Sequence, residues 1–123
     1  MKKILVIEDN PIVRNTVMRI LQSAGYSVVT AKDGLHGVDM FHKEQPDLVI
    51  TDIIMPQQEG IGTIREILAD HPGTKIIAIS GGGRIGNTDF LQIARKMGAV
   101  DALQKPFDPD DLLNRIDSCL KAA

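Results

Sequence analysis

The sequence of 123 residues contains no tryptophan, one tyrosine and a single cysteine. One cysteine excludes an internal disulfide, which is consistent with a reducing compartment. Because aromatic residues are so few, the core must be mainly aliphatic, and hydrophobic residues do make up 43% of the chain. The single cysteine, Cys119, has helical spacing from Leu112 and Ile116, which predicts a packing position on an apolar helix face.

Long hydrophobic runs and a strong net charge are also lacking. The first apolar run, residues 4–7, is followed by Glu8 and Asp9 and is too short for a signal peptide. No stretch approaches the ~18 apolar residues of a membrane-spanning helix. The formal net charge is −2 and the basic residues are scattered, which is not typical of a nucleic-acid-binding surface. We therefore expect a cytoplasmic protein that binds neither a membrane nor a nucleic acid.

Short apolar runs rich in valine and isoleucine predict the strands. Most of these runs are continuous rather than alternating, which is typical of strands buried on both faces. They cover residues 4–7, 28–31, 48–51, 76–79 and 102–104. An amphipathic stretch follows each run, and this alternation is typical of an α/β fold with a parallel sheet. We predict one domain, residues 1–123, with a doubly wound five-stranded sheet and five helices on its two faces.

Capping residues mark the predicted helix boundaries. Asn10 and Asp108 each precede a proline, a combination that favours a helix start, and Asp33 opens the second helix. Gly25 and Gly98 follow apolar helical patterns and predict helix ends. The second helix is predicted to be amphipathic, with Leu35, Val38 and Phe41 on its apolar face, and the fourth helix is predicted to begin at Thr88 or Asp89.

Polar residues lie at or next to the carboxyl ends of four predicted strands: Glu8, Asp9, Asp52, Ser80 and Lys105. The carboxyl ends of parallel strands meet at one edge of the sheet, where ligands of open α/β folds bind. The strand order 2-1-3-4-5, common in such folds, makes the first and third strands neighbours. We therefore expect Asp9 and Asp52 to lie close together.

Clustered carboxylates repel one another, and a divalent cation relieves that repulsion. Oxygen ligands without cysteine or histidine favour Mg²⁺, Ca²⁺ or Mn²⁺ over Zn²⁺. Three carboxylates and Lys105 carry a charge of −2, which Mg²⁺ brings to zero. An incoming phosphoryl group is then tolerated, with Asp52 as nucleophile and with Ser80 and Lys105 as ligands of the phosphoryl oxygens. Taken singly, Asp9 also fits a helix cap, Ser80 a turn and Lys105 a solvated surface position.

The sequence resembles a response-regulator receiver domain, of the CheY-like (flavodoxin-like) fold, over essentially its whole length. The matching motifs are Ile7-Glu8-Asp9-Asn10, Asp52-Ile53-Ile54-Met55-Pro56 with Gly60, Ser80-Gly81, Gly98-Ala99 and Lys105-Pro106-Phe107. The resemblance implies that Asp9, Asp52 and the backbone carbonyl of Ile54 bind Mg²⁺ directly and that Glu8 does so through water. It also implies a cis bond between Lys105 and Pro106.

The resemblance further implies a function in a two-component phosphorelay. Asp52 would accept a phosphoryl group from a sensor histidine kinase or a histidine phosphotransfer protein, and the chain would change conformation to bind a downstream partner. Self-phosphorylation and self-dephosphorylation at Asp52 would be its only catalysis. Because the sequence ends soon after the fifth helix, we expect a stand-alone receiver without an effector domain. We expect a monomer or weak dimer, and Asp101 and Arg115 fit either the salt bridges of a dimer or, as the favoured interpretation, surface ion pairs.

Three features depart from the family pattern. Ala102 stands where the switch aromatic residue usually stands, Gly81 replaces a small alanine, and the segment between Ser80 and Gly98 is about three residues longer than usual. Two alternatives remain open: a receiver-like interaction module that is not phosphorylated, and a nucleotide-binding α/β protein. The second rests on a G-x-G-x-x-G match at residues 81–86, but that fingerprint belongs on the first strand–helix turn.

Overall fold

The computed structural model describes residues 1–52, 59–80, 92 and 94–121, with only the backbone of residues 59–61. In chain order the elements are β1 (Lys3–Ile7), α1 (Pro11–Ser23), β2 (Ser27–Ala31), α2 (Gly34–Glu44), β3 (Leu48–Asp52), α3 (Glu59–Asp70), β4 (Ile76–Ser80), β5 (Asp101–Gln104) and the C-terminal helix (Pro109–Lys121). Residues 92 and 94–96 are helical and fall within the predicted fourth helix. Its predicted cap, Thr88 or Asp89, lies outside the described residues.

The five strands form one parallel sheet in the order β2-β1-β3-β4-β5, which confirms the prediction. The strand register brings their carboxyl ends together. Ile7 pairs with Thr51, so the residue after β1 lies beside the last residue of β3. Ser80 at the end of β4 pairs with Gln104 at the end of β5. One edge of the sheet therefore gathers the residues that end or follow these four strands.

Both faces of the sheet are covered, and all residues of β3 and β4 are buried. Alternate strand residues face opposite sides because successive side chains of a strand point to opposite faces. On one face, Val6, Ile50 and Ile77 lie in a buried cluster with residues of α1 and the C-terminal helix, which include Val17, Leu21, Leu112 and Ile116. On the other face, Leu5, Val49 and Ala78 lie in a cluster with residues of α2 and α3, which include Val38, Phe41, Ile64 and Ile67. The fold is therefore doubly wound, as predicted.

The predicted N-caps of α1 and α2 are present. Asn10 Oδ1 accepts hydrogen bonds from the backbone of Ile12 at 2.9 Å and Val13 at 3.3 Å, and Asp33 Oδ1 accepts one from His36 at 2.8 Å. These bonds satisfy amides that lack a partner within the helix. Gly25 follows α1 with φ of 95°, a conformation that favours glycine. In the described part of the chain, no helix combines the length and apolar character needed to cross a membrane.

The prediction for Leu35 is wrong: this side chain is 78% exposed. The buried face of α2 consists instead of Gly34, Gly37, Val38 and Phe41, which repeat at helical spacing. A Cβ atom on Gly37 would lie 2.5 Å from Ile7 Cδ1. The helix therefore approaches β1 closely along its glycine side, and this orientation turns Leu35 towards solvent.

The packing position predicted for Cys119 is confirmed, and Asp101 and Arg115 form an ion pair within the chain. Cys119 is partly buried and packs against the apolar cluster beneath α1 and the C-terminal helix. Arg115 Nη1 lies 2.7 Å from Asp101 Oδ1 within the same chain, and both side chains are partly exposed. The pair is a surface ion pair, which contributes little to stability.

Candidate functional site

Acidic side chains meet at the carboxyl edge of the sheet. Glu8 and Asp9 follow β1 directly, and Asp52 is the last residue of β3. The parallel pairing of β1 with β3 places the two strand ends side by side. Carboxylate oxygens of all three residues lie within 4.8 Å of one another. The structure therefore brings together the three acidic residues that the sequence analysis selected.

Lys105 projects into the same cluster from the residue after β5. Its Nζ lies 2.5 Å from Glu8 Oε1 and 2.9 Å from Asp52 Oδ2, and its side chain is 17% exposed. Its backbone amide donates to the carbonyl of Ser80 at 2.7 Å. The bond between Lys105 and Pro106 is cis, as the resemblance implied. A single ammonium group thus bridges two of the three carboxylates.

Contacts on every side hold Glu8 in place. The residue is fully buried, and its amide donates to the carbonyl of Ala31 at 3.0 Å. Its Oε2 accepts from the amide of Asn10 at 3.1 Å, and its carbonyl accepts from Arg14 Nη1 at 3.0 Å. The sequence analysis did not select Arg14. The only feature of the sequence that points to Arg14 is its position in the first turn of a capped helix. A long side chain at that position can reach back to the end of β1.

The electrostatics of the site follow from this burial. Burial raises the pKa of Glu8, and the nearby Asp9 and Asp52 add to that rise, although hydrogen bonds from Lys105 and Asn10 act against it. Burial alone would lower the pKa of Lys105, but the hydrogen bonds and charges of Asp52 and Glu8 outweigh it and raise that pKa. Lys105 is therefore an ammonium cation, and the cluster has an excess of negative charge around it.

The remaining predicted residues are described in part. Ser80 is buried at the end of β4. Ala102, in the position of the usual switch aromatic residue, is buried in the apolar cluster on the α2 and α3 face. Ile54, predicted to bind the metal through its carbonyl, and the glycine-rich residues 81–86 lie outside the described residues.

Comparison with known proteins places this arrangement in a family. The family model for the response regulator receiver domain matches residues 4–117. The probable transcriptional regulator ycf27 of Guillardia theta is 36% identical over 120 residues, which cover 98% of this chain and 46% of that protein. The chemotaxis protein CheY of Listeria monocytogenes is 32% identical over 122 residues, which cover 98% of this chain and 100% of that protein. The chain thus spans about half of one relative and the whole of the other.

Solved structures agree with the sequence comparison. The receiver domain of NtrX from Brucella abortus superposes with a TM-score of 0.89 at 30% identity, covering 98% of this chain and 99% of that one. The chain belongs to the response regulator receiver family and is a receiver of the two-component type. Members of this family exchange phosphoryl groups with histidine kinases or phosphotransfer proteins, typically with Mg²⁺ at an acidic pocket, and this chain has an acidic cluster. This membership favours a receiver over a nucleotide-binding protein.

Proposed function

We propose that Asp52 is the phosphoacceptor of this receiver. The observation that carries the proposal is the contact between Lys105 Nζ and Asp52 Oδ2 at 2.9 Å inside a cluster of three carboxylates. Asp52 ends a fully buried strand, so the sheet fixes its backbone, and the contact with Lys105 orients its carboxylate. It is therefore a fixed nucleophile next to a fixed cation, which is what a phosphoryl acceptor requires.

The acidic cluster fits Mg²⁺. It offers oxygen ligands only, and oxygen ligands suit Mg²⁺ better than Zn²⁺. Three carboxylates and one ammonium carry −2, so a divalent cation neutralises the site. Asp9 and Asp52 would bind the metal directly and Glu8 through water, with the Ile54 carbonyl as a further ligand. When bound, Mg²⁺ neutralises charge on the phosphoryl oxygens.

The transfer step follows from these positions. An oxygen of Asp52 forms the new bond to phosphorus as the bond from phosphorus to the donor's imidazole nitrogen breaks. Lys105 stabilises the charge that develops on a phosphoryl oxygen, and the Ser80 hydroxyl donates to another. The donor is a sensor histidine kinase or a histidine phosphotransfer protein. In self-dephosphorylation, a water oxygen forms a bond to phosphorus as the bond from phosphorus to the Asp52 oxygen breaks, which releases inorganic phosphate and restores the Asp52 carboxylate.

The signal leaves the site through a change in shape. Ser80 gains a hydrogen bond to a charged oxygen, worth roughly 1.5–3 kcal/mol, which is the size of typical allosteric coupling. Ala102 has no ring to follow that movement. The output therefore depends on the backbone after Ser80, and a downstream protein binds the altered surface. The acceptor site and the surface that changes belong to one domain, residues 1–123. This domain acts as a monomer or weak dimer.

A small phosphodonor tests the acceptor. Acetyl phosphate with Mg²⁺ should label the protein, EDTA should prevent labelling, and Asp52→Asn should abolish it. Asp47→Asn is the matched control because Asp47 precedes the same strand at the opposite edge of the sheet. Labelling that persists in Asp52→Asn rejects this acceptor. An absence of any labelling in the unaltered protein favours the alternative, a receiver-like interaction module without phosphorylation.

A further inference from the structure

One contact at the site has no role in the proposed transfer. Arg14 lies in the first turn of α1, and its Nη1 donates a hydrogen bond to the backbone carbonyl of Glu8 at 3.0 Å. That carbonyl belongs to the peptide group that joins Glu8 to Asp9. Arg14 is partly buried, so the bond is shielded in part from competing water.

The β1–α1 connection needs such support. It consists of Glu8, Asp9 and Asn10, the three residues between Ile7 and Pro11. Two of them are acidic and lie against a third carboxylate, and like charges in such proximity repel. The Asn10 side chain caps α1 and its amide contacts Glu8 Oε2. Arg14 adds the contact to the peptide group itself, and rotation of that group would move the Asp9 carboxylate.

We propose that Arg14 is a positioning residue for the divalent-cation site. It holds the Glu8–Asp9 peptide group so that both carboxylates stay within ligand distance of Asp52. The inference rests on the proposed function, because it takes the acidic cluster as the site of Mg²⁺. Residues that orient metal ligands without touching the metal commonly change metal affinity by about 10–100-fold when they are replaced.

The charge of Arg14 makes the test decisive. Arginine is a permanent cation, and a cation near an acidic site weakens the binding of another cation. If Arg14 acted through its charge alone, its removal would tighten Mg²⁺ binding. If Arg14 positions the ligands, its removal weakens Mg²⁺ binding. The direction of the change in affinity therefore separates the two roles.

The experiment measures the Mg²⁺ dissociation constant by isothermal titration calorimetry for the unaltered chain, Arg14→Met, Arg14→Lys and Arg19→Met. Arg19 is an exposed arginine on the same helix and serves as the matched control. We expect Arg14→Met to bind Mg²⁺ about 10-fold more weakly or worse. Arg14→Lys, which keeps a donor and the charge, should recover part of the affinity. Arg19→Met should match the unaltered chain.

Hydrogen exchange at the Asn10 amide gives a second readout. This amide donates to Glu8 Oε2, so a loosened connection should make it exchange faster in Arg14→Met than in Arg19→Met. Circular dichroism checks that the variants are folded. If Arg14→Met does not fold, the Mg²⁺ affinity of Arg14→Lys is compared with that of the unaltered chain instead. Unchanged or tighter Mg²⁺ binding in folded Arg14→Met overturns the inference alone. If the unaltered chain does not bind Mg²⁺, the proposed metal site fails and the inference fails with it.

Discussion

The ammonium group of Lys105 and the buried carboxylate of Glu8 form a hydrogen-bonded ion pair with an N–O distance of 2.5 Å. The same ammonium lies 2.9 Å from Asp52, the proposed acceptor. A buried carboxylate without a cation is costly, so Lys105 balances the site when no metal is bound. The residue that is proposed to stabilise the phosphoryl group thus also stabilises the fold.

Replacing Lys105 should therefore destabilise the protein. Lys105→Met leaves Glu8 buried and unpaired, and we expect a loss of roughly 3 kcal/mol in the free energy of unfolding, measured with urea in EDTA. Adding Glu8→Gln should recover much of that loss. Lys121→Met is the control, since it removes an exposed ion pair with Asp117 and should cost under about 0.5 kcal/mol. Equal losses in Lys105→Met and Lys121→Met would contradict this account.

The raised pKa of Glu8 makes a prediction about pH. In the native state this carboxyl holds its proton above the ordinary value of 4.5. The native state then binds more protons than the unfolded state, so the stability contributed by this group falls as pH rises above 4.5. The free energy of unfolding is measured in EDTA for the unaltered chain and for Glu8→Gln. The value for the unaltered chain minus the value for Glu8→Gln should decrease as pH rises above 4.5. The exposed Glu66→Gln is the control. A difference that is flat or increases with pH would refute the assignment.

The close approach of α2 to β1 makes a prediction about packing. In Gly37→Ala the new methyl group meets Ile7 Cδ1 at 2.5 Å, and we expect a loss of about 1–3 kcal/mol in the free energy of unfolding. Gly62→Ala in α3 is the matched control because a Cβ there has open space. It should stabilise the protein by about 0.4–1 kcal/mol. If Gly37→Ala is as stable as Gly62→Ala, α2 does not approach β1 as closely as described.

Much of the fold could be predicted because the buried strands have a strong local pattern. The continuous apolar runs of β3 and β4 identified strands covered on both faces, and Asn10 and Asp33 identified helix starts. The orientation of α2 could not be predicted in the same way. The apolar spacing placed Leu35 on the buried face, whereas the contact between Gly37 and Ile7 decides that orientation, and it depends on tertiary packing.

The sequence likewise predicts some features of the site and not others. The position of each acidic residue at a strand end was enough to predict that they converge. The bridge from Lys105 to Glu8 spans 97 residues, and the bond from Arg14 to the Glu8 carbonyl depends on the geometry of a three-residue connection. Neither distance follows from sequence spacing, because both depend on how the strand ends and loops are placed against one another.

The lifetime of the phosphoryl group is a prediction from sequence, since Ile54 lies outside the described residues. The residue two positions after the acceptor often positions or blocks the attacking water in this family, and an isoleucine side chain forms no hydrogen bond. We expect slow self-dephosphorylation and a faster rate in Ile54→Asn, followed as loss of label after removal of acetyl phosphate. Leu48→Val, at the far end of β3, controls for general destabilisation. An unchanged or slower rate in Ile54→Asn would count against this role.

The most direct test of the central claim is to locate the phosphoryl group after transfer from a phosphorylated histidine phosphotransfer protein. Reduction of the acyl phosphate with borohydride, followed by proteolysis and mass spectrometry, identifies the residue that carried it. We predict a single modified position, Asp52, that requires Mg²⁺ during the transfer and disappears in Asp52→Asn. Modification at Glu8, Asp9 or a residue outside the acidic cluster, or modification that is unaffected by EDTA, would contradict the account.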